Sequence, residues 1–205
     1  MSESIRISAY GTLRARLRSP EVLNLHKPDA AGHVAQFYER DETVVTSVAH
    51  LARKTLRQGD SVVLIATRAH LRAMEAVLNA ACSLGQLRER GRYLALDADA
   101  TLSLIIDNGF PDETRFDDAV GSFVRKASEA STNGFMFAFG EMVALLCQEN
   151  RRDAALHLER LWNALALRHR FSLYCAYPLS AFGAHPDLES LLSICAEHSI
   201  SIPAE

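Results

Sequence analysis

The sequence lacks the features that define several large classes of protein. No stretch reaches the roughly 18 apolar residues that a membrane-spanning helix needs, and the N-terminus has no apolar signal core. The formal net charge of the 205-residue chain is -3, whereas nucleic-acid-binding domains are usually basic. The sequence therefore predicts a cytoplasmic protein that has neither a membrane nor nucleic acid as a direct partner.

Cysteine is scarce and widely spaced. The chain has Cys82, Cys147, Cys175 and Cys195, and no pair has the CxxC spacing of a zinc knuckle or a thioredoxin-like site. Each cysteine lies in an apolar stretch, which is typical of buried thiols in a reducing compartment.

The common catalytic and nucleotide-binding motifs are also missing. The turn after the first predicted strand reads YERDET at 38–43, without the glycines and lysine of a phosphate-binding loop, and its acids would repel a triphosphate. Neither GxGxxG nor GxSxG occurs, and no local motif supports a Cys–His pair. We therefore expect no enzyme activity from this chain.

What the sequence does contain is a regular alternation of strand and helix patterns. Short apolar runs alternate with amphipathic segments, and Asp41 and Thr67 are placed to cap the first two helices. Five strands are predicted, at 33–38, 61–67, 93–98, 135–141 and 171–177, and the helices between the third and fourth strands are predicted at 101–108 and 112–131. The alternation predicts an α/β fold with a doubly wound, mainly parallel, five-stranded sheet and helices on both faces.

The chain divides into three parts by composition. An arginine-rich segment at 1–32 is either a mobile tail or an arm that docks on a partner or an anion. Residues 33–182 form the folded domain, and residues 183–205 are expected to be a helix followed by a tail. The helix is predicted to open at Pro186 and to run from Asp187 to His198.

Ligands of open parallel sheets bind beyond the carboxyl ends of the strands, so we examined the residues predicted there. Glu141 follows the fourth strand, where a carboxylate either binds a metal or activates water, or simply caps the next helix. Gln36 and Tyr38 share one face of the first strand, and a buried Gln amide needs a partner or a ligand. Cys175 and Tyr177 lie near the end of the fifth strand.

Three further residues have competing interpretations. Cys175 is either an inert core thiol or a sensing group, and Trp162 fits a core position in its helix. His33 begins the first strand, at the end opposite the predicted site, which favours a structural hydrogen bond. A metal- or haem-linked sensor built from His33, Glu141 and Cys175 is not favoured, because opposite strand ends would separate His33 from the other two.

Six motifs, in order, resemble those of the MEDS domain, the methanogen/methylotroph, dichloromethane-regulator sensory domain. They are His33-x-x-Gln-Phe-Tyr38, GDSVVLIAT, GRYLALDA at 91–98, FGEMVALL at 139–146, ERLWNAL at 159–165 and CAYP at 175–178. The resemblance runs from about His33 to Phe182 and implies a KaiC/RecA-like fold that lacks a phosphate-binding loop. It also implies that the domain senses a small ligand, such as a hydrocarbon derivative. The candidate ligand-binding residues are Gln36, Tyr38, Glu141, Cys175, Tyr177 and His33.

The resemblance implies signalling through an output domain, and no helix-turn-helix or phospho-acceptor histidine motif is visible in this sequence. We therefore expect a stand-alone sensory domain that acts through a partner, either a histidine kinase or a transcription regulator, with a homodimer as a further option. Two alternatives remain, a degenerate nucleotide-binding protein and a ligand-free interaction adaptor. The sequence identifies no cofactor.

Overall fold

The fold was taken from a computed structural model, which describes residues 32–182 and 188–204. The arginine-rich segment predicted at 1–32 lies outside the described residues except for Gly32. The predicted helix start at Pro186 and Asp187 also lies outside them.

The centre of the domain is a six-stranded sheet in which every pair of neighbouring strands is parallel. The α/β prediction is confirmed, but the predicted count of five strands is wrong by one. The order across the sheet is β3-β2-β6-β7-β1-β8. The strands are β1 His33–Tyr38, β2 Ser61–Ala66, β3 Tyr93–Asp97, β6 Met136–Gly140, β7 Phe171–Pro178 and β8 Ile200–Ile202.

The sixth strand, β8, lies in the segment that was predicted to be a tail. It pairs with β1, with Val34 opposite Ile200 and Gln36 opposite Ile202. Its three residues carry too short an apolar pattern to be distinguished from a loop by sequence. The pairing with β1 satisfies the backbone groups of an edge that would otherwise be open.

Helices cover both faces of the sheet, as predicted. One face carries α1 Asp41–Arg57, α2 Arg68–Asn79 and α3 Leu84–Glu89. The other carries α4 Ala98–Ile105, α5 Glu113–Phe116, α6 Ser122–Ala130, α7 Met142–Gln148, α8 Arg152–Ala166 and α9 Leu188–Glu197. Because both faces are covered, central strands such as SVVLIA at 61–66 are buried along their whole length.

Local capping agrees with the sequence at one helix and differs at another. The Thr67 side chain accepts a hydrogen bond from the His70 N–H and caps α2, as predicted. Asp41 does not cap α1, because Arg40 occupies the cap position and Asp41 is already in the first turn. A carboxylate in that turn still interacts favourably with the helix dipole.

The segment between β3 and β6 contains more and shorter elements than its apolar pattern predicts. The helix expected at 101–108 begins earlier, at Ala98, and gives way to a small hairpin of β4 Ile106–Asp107 and β5 Phe110–Pro111. The single helix expected at 112–131 is α5 and α6 joined by a π-helical turn, Asp117–Gly121. The extra residue of that turn leaves the apolar spacing almost unchanged, so the sequence gives no sign of it.

Within the described residues, no helix has both the length and the apolar character needed to cross a membrane.

Candidate functional site

The six candidate residues lie in three separate places. Gln36 and Tyr38 point to the face covered by α1, as predicted for two alternate residues of one strand. Glu141 lies at the carboxyl edge of the sheet, directly after β6. His33, Cys175 and Tyr177 lie together on the opposite face, under α8 and α9.

Gln36 is fully buried and has the partner that its burial requires. The Tyr174 hydroxyl donates a hydrogen bond of 2.7 Å to Gln36 Oε1. This hydrogen bond satisfies the amide oxygen of Gln36 without any ligand.

Glu141 forms the first of two buried carboxylate networks. It is 2% exposed, and its Oε2 accepts a hydrogen bond of 2.8 Å from the Thr67 N–H. Its Oε1 accepts one of 2.5 Å from His70 Nδ1, and Glu141 makes no capping bond to α7. Glu141 therefore occupies the N-cap position of α7, as one alternative held, but its carboxylate does not cap the helix because it turns across the sheet edge towards α2.

His70 is a residue that the sequence analysis missed. Its pKa is raised above the ordinary value, chiefly by the hydrogen bond to Glu141 and against the opposing effect of burial, with Asp41 contributing further. The Tyr38 ring lies 6.3 Å from the His70 ring, and burial, Glu141 and Asp41 all raise the pKa of the Tyr38 hydroxyl. The signal that identifies His70 in retrospect is its position one turn after the capping Thr67, which directs it to the sheet edge.

The second network places His33 and Cys175 in contact, which corrects the expectation that opposite strand ends separate them. His33 Nε2 lies 3.4 Å from Cys175 Sγ. The parallel register puts Cys175 opposite Ala35, only two residues from His33, so both side chains lie on the same face. Glu141 does not join them. The strand β7 continues to Pro178, so Cys175 lies within the strand and not at its end.

Glu159 of α8 is the centre of this network and was not among the predicted residues. Its side chain is 0% exposed, and its Oε2 lies 3.1 Å from His33 Nε2 and 3.6 Å from Cys175 Sγ. The Tyr177 hydroxyl donates to Oε1. Glu159 falls on the apolar face of α8, between Leu158 and Trp162, and a glutamate at such a position was a usable signal.

His198 completes the second network from the residue after α9. Its Nε2 lies 3.4 Å from Glu159 Oε1, without the alignment of a hydrogen bond, and its ring centroid lies 3.9 Å from that of His33, with the ring planes tilted by 43°. No pattern in the sequence singled it out, because it follows a helix whose packing depends on the rest of the fold. We call His33, Glu159, Cys175, Tyr177 and His198 the buried network.

The electrostatics of the buried network depend on Glu159. Burial acts to raise the pKa of Glu159, but His198 and His33 hold it well below its usual range. The pKa of His33 is raised, because the effect of Glu159 outweighs that of burial. Burial and the Glu159 charge raise the pKa of the Cys175 thiol and of the Tyr177 hydroxyl well above their usual values. An ionised carboxylate therefore lies beside a neutral thiol and a neutral phenol.

A surface groove of about 690 Å³ reaches this network at the amino end of β1 and β7. It runs between the end of α8 and the turn that follows α9. Its polar lining includes His33, Asn163, Glu197 and Ser199, and its apolar lining includes Trp162, Leu167 and Phe171. The groove therefore lies at the edge of the sheet opposite the one where a ligand was predicted.

Four residues of the network also have the composition of a metal site. One donor atom each from His33, Glu159, Cys175 and His198 lies within 4.8 Å of all the others, and all four residues are buried.

These features define an α/β domain with a parallel sheet and a buried ionisable network under its C-terminal helices. The chain belongs to the MEDS family, the methanogen/methylotroph, DcmR sensory domain, whose model matches residues 32–194. The chain is therefore a sensory domain in the sense of that family, which confirms the resemblance seen in the motifs. No curated protein matches the chain.

The family match covers four of the five residues of the buried network. His33, Glu159, Cys175 and Tyr177 lie inside the matched range, and His198 lies beyond its end.

Proposed function

We propose that this domain senses a small molecule through the groove and the buried network beneath it. The observation that carries the proposal is an open groove that reaches the His33 side chain, which shares one fully buried carboxylate with the enclosed His198 behind it. Burying an ionised group is costly, and perturbed ionisable groups that meet at a concave surface are characteristic of functional sites. The proposal is a binding role with no chemical reaction.

The lining of the groove suits a small ligand that is mainly apolar and has one polar group. Leu167 and Phe171 offer apolar contact, while His33 and Asn163 offer a hydrogen-bonding edge. Binding sites for small molecules usually combine apolar walls with a few placed polar groups in this way. The family description supports one-carbon and halogenated one-carbon compounds as the first class of ligands to test.

The position of the groove suggests how the signal would leave the domain. His33 begins β1, and His198 connects α9 to β8, which is the edge strand of the sheet. A ligand that moves His198 would move α9 and β8 with it. We propose that a partner protein, either a histidine kinase or a transcription regulator, detects this movement.

Thermal unfolding and two-dimensional NMR of the whole chain with methanol, methylamine, formate and dichloromethane test the proposal. We expect at least one compound to raise the melting temperature and to shift the signals of residues that line the groove. Ala164 is exposed and lines the groove, so Ala164→Trp should block it and abolish both effects. The matched control is Ala76→Trp, at an exposed position of α2 on the other face, which should retain both effects.

The proposal fails if none of these compounds perturbs the groove, or if Ala164→Trp leaves the response unchanged. ATP belongs in the same screen, because signal changes confined to the carboxyl edge would favour the nucleotide-binding alternative instead. A response to neither class, combined with specific capture of one signalling protein, would favour the adaptor alternative.

A further inference from the structure

The geometry points to a binding site for one divalent transition-metal ion in the buried network, with His33, Glu159, Cys175 and His198 as its ligands. This inference rests on the proposed function, because it names the class of ligand that the same site takes. The four residues come from β1, α8, β7 and the turn after α9, so a metal ion would join four separate parts of the fold.

The donor atoms all lie within 4.8 Å of one another, and several of their separations are close to those of a tetrahedral site. Ligand atoms about 2.0–2.3 Å from a tetrahedral zinc ion lie about 3.3–3.8 Å from one another. His33 Nε2 lies 3.1 Å from Glu159 Oε2 and 3.4 Å from Cys175 Sγ. Cys175 Sγ lies 3.6 Å from Glu159 Oε2, and His198 Nε2 lies 3.4 Å from the other oxygen of that carboxylate. Small movements would place all four donors around one centre.

Both histidines are held in the tautomer that a metal ligand needs. His33 Nδ1 lies 2.9 Å from Asn163 Oδ1, and Asn163 Nδ2 donates to the Glu197 carbonyl, which fixes the orientation of the amide. His33 Nδ1 is therefore the donor. His198 Nδ1 likewise donates to the Ile194 carbonyl at 2.7 Å. In each ring Nδ1 carries a proton, so Nε2 is the atom that faces the shared centre and is the one that would bind a metal ion, as is usual for histidine ligands of metals.

The Glu159 carboxylate is also oriented by a hydrogen bond from a residue that is not one of the four ligands. The Tyr177 hydroxyl donates to Glu159 Oε1, which leaves Oε2 directed towards His33 and Cys175. Buried Trp162 Nε1 and His198 Nε2 have no hydrogen-bond partner among the described residues. For His198 this leaves a buried Nε2 without a hydrogen bond 3.4 Å from a carboxylate oxygen, and a cation between them would be a partner for both atoms.

The charges of the four ligands also fit a divalent ion. Two neutral imidazoles, one thiolate and one carboxylate carry a charge of -2, so a divalent cation gives a neutral buried complex. On binding, the Cys175 sulfur forms the bond to the metal as its S–H bond breaks, and the proton leaves to solvent. The thiolate and imidazole donors favour zinc, cobalt, nickel or iron over magnesium or calcium.

Cobalt(II) titration of the metal-stripped whole chain tests the inference, because cobalt reports both geometry and ligand type. We expect one equivalent to bind, with the visible bands of a tetrahedral ion and a near-ultraviolet band from thiolate to cobalt. Zinc should then displace it and abolish the spectrum. The decisive variant is Cys175→Ala, which should lose the thiolate band. The matched control is Cys195→Ala, another buried cysteine, which should retain it.

A second ligand variant keeps the test decisive if Cys175→Ala does not fold. His198→Gln removes a ligand beyond the family match and should lower cobalt affinity at least tenfold. The inference is overturned if no stoichiometric cobalt binds, if the bound ion has an octahedral spectrum, or if Cys175→Ala retains the thiolate band. An adventitious surface ion would behave in one of the last two ways.

The same samples separate failure of this inference from failure of the proposed function. The small-molecule screen is run on metal-free and zinc-loaded protein. Stoichiometric cobalt binding without any small-molecule response supports the metal site and rejects small-molecule sensing. Small-molecule binding to the groove without cobalt binding supports small-molecule sensing and rejects the metal site.

Discussion

Two buried glutamates pair with histidine, and their surroundings give each pair different properties. Glu141 and His70 lie at the carboxyl edge, where His70 also lies 3.5 Å from the exposed Asp41. Glu159 is enclosed by two histidines, a tyrosine and a cysteine, with no exposed charge among the groups it contacts. The His70–Glu141 pair can exchange protons with solvent, whereas the groups around Glu159 are suited to binding an ion.

The His70–Glu141 pair should make part of the stability depend on pH. The pKa of His70 is raised above 6.5 in the folded state, so its protonation stabilises the fold fully below about pH 6.5. That contribution is lost as the pH rises through the folded-state pKa. The groups facing His70 are Glu141 before α7, Asp41 on α1 and Tyr38 on β1.

We therefore expect His70→Gln to reduce the free energy of unfolding most below pH 6.5 and progressively less at higher pH. Urea denaturation from pH 5.5 to 8.5 measures this difference. His50→Gln, at an exposed position of α1, is the matched control and should leave the pH dependence unchanged. A constant difference between wild type and His70→Gln across that range would contradict the expectation.

At the scale of the elements, α9 and β8 are the parts that complete the site. Ile194 and Cys195 anchor α9 in the core beneath α8, and β8 fixes the turn that carries His198 by pairing with β1. The Ser199 N–H also donates to the His33 carbonyl at 2.8 Å, and the His33 N–H donates to Ser199 Oγ. His198 is therefore held next to His33 by the backbone as well as by side chains.

Replacing Ile202 should show that β8 is a structural strand. Ile202 is 0% exposed and packs on the α1 face, so Ile202→Ala should lower the free energy of unfolding by about 2–4 kcal/mol. The half-buried Ile200 is the control, and Ile200→Ala should cost clearly less. Chemical denaturation of the two variants checks this, and equal costs would mean that β8 does not pack as described.

At the scale of the whole molecule, the sheet divides the chemistry into separate regions. The buried network and the groove lie on the α8 and α9 side at the amino end of β1, whereas Glu141 and His70 lie at the carboxyl edge. A ligand bound by the network would therefore tie the C-terminal elements to the sheet. Its effect should appear as a gain in global stability.

Zinc should stabilise the whole domain by mass action. At a free concentration of 100 times its Kd, an ion that binds only the folded state adds about 2.7 kcal/mol. For a domain of this size that corresponds to a rise in melting temperature of about 5–10 °C. Calorimetry of metal-free and zinc-loaded protein measures it. A rise of the same size in Cys175→Ala would show that the ion binds elsewhere.

The sequence alone determined the parts of this protein that depend on local pattern. Alternating apolar runs specified the parallel α/β sheet, the capping Thr67 specified the start of α2, and the ordered motifs specified the family. These features are readable because each depends on residues that are neighbours in the chain. The burial of Gln36 with a partner was predictable for the same reason.

Only the tertiary structure decided which residues meet. The register of β1 against β7 brought His33 to Cys175, the packing of α8 placed Glu159 between them, and the pairing of β8 carried His198 to the same point. These contacts join residues as far as 166 positions apart, as in the bond between His33 and Ser199. They depend on strand order and register, which the pattern of a single strand or helix does not encode.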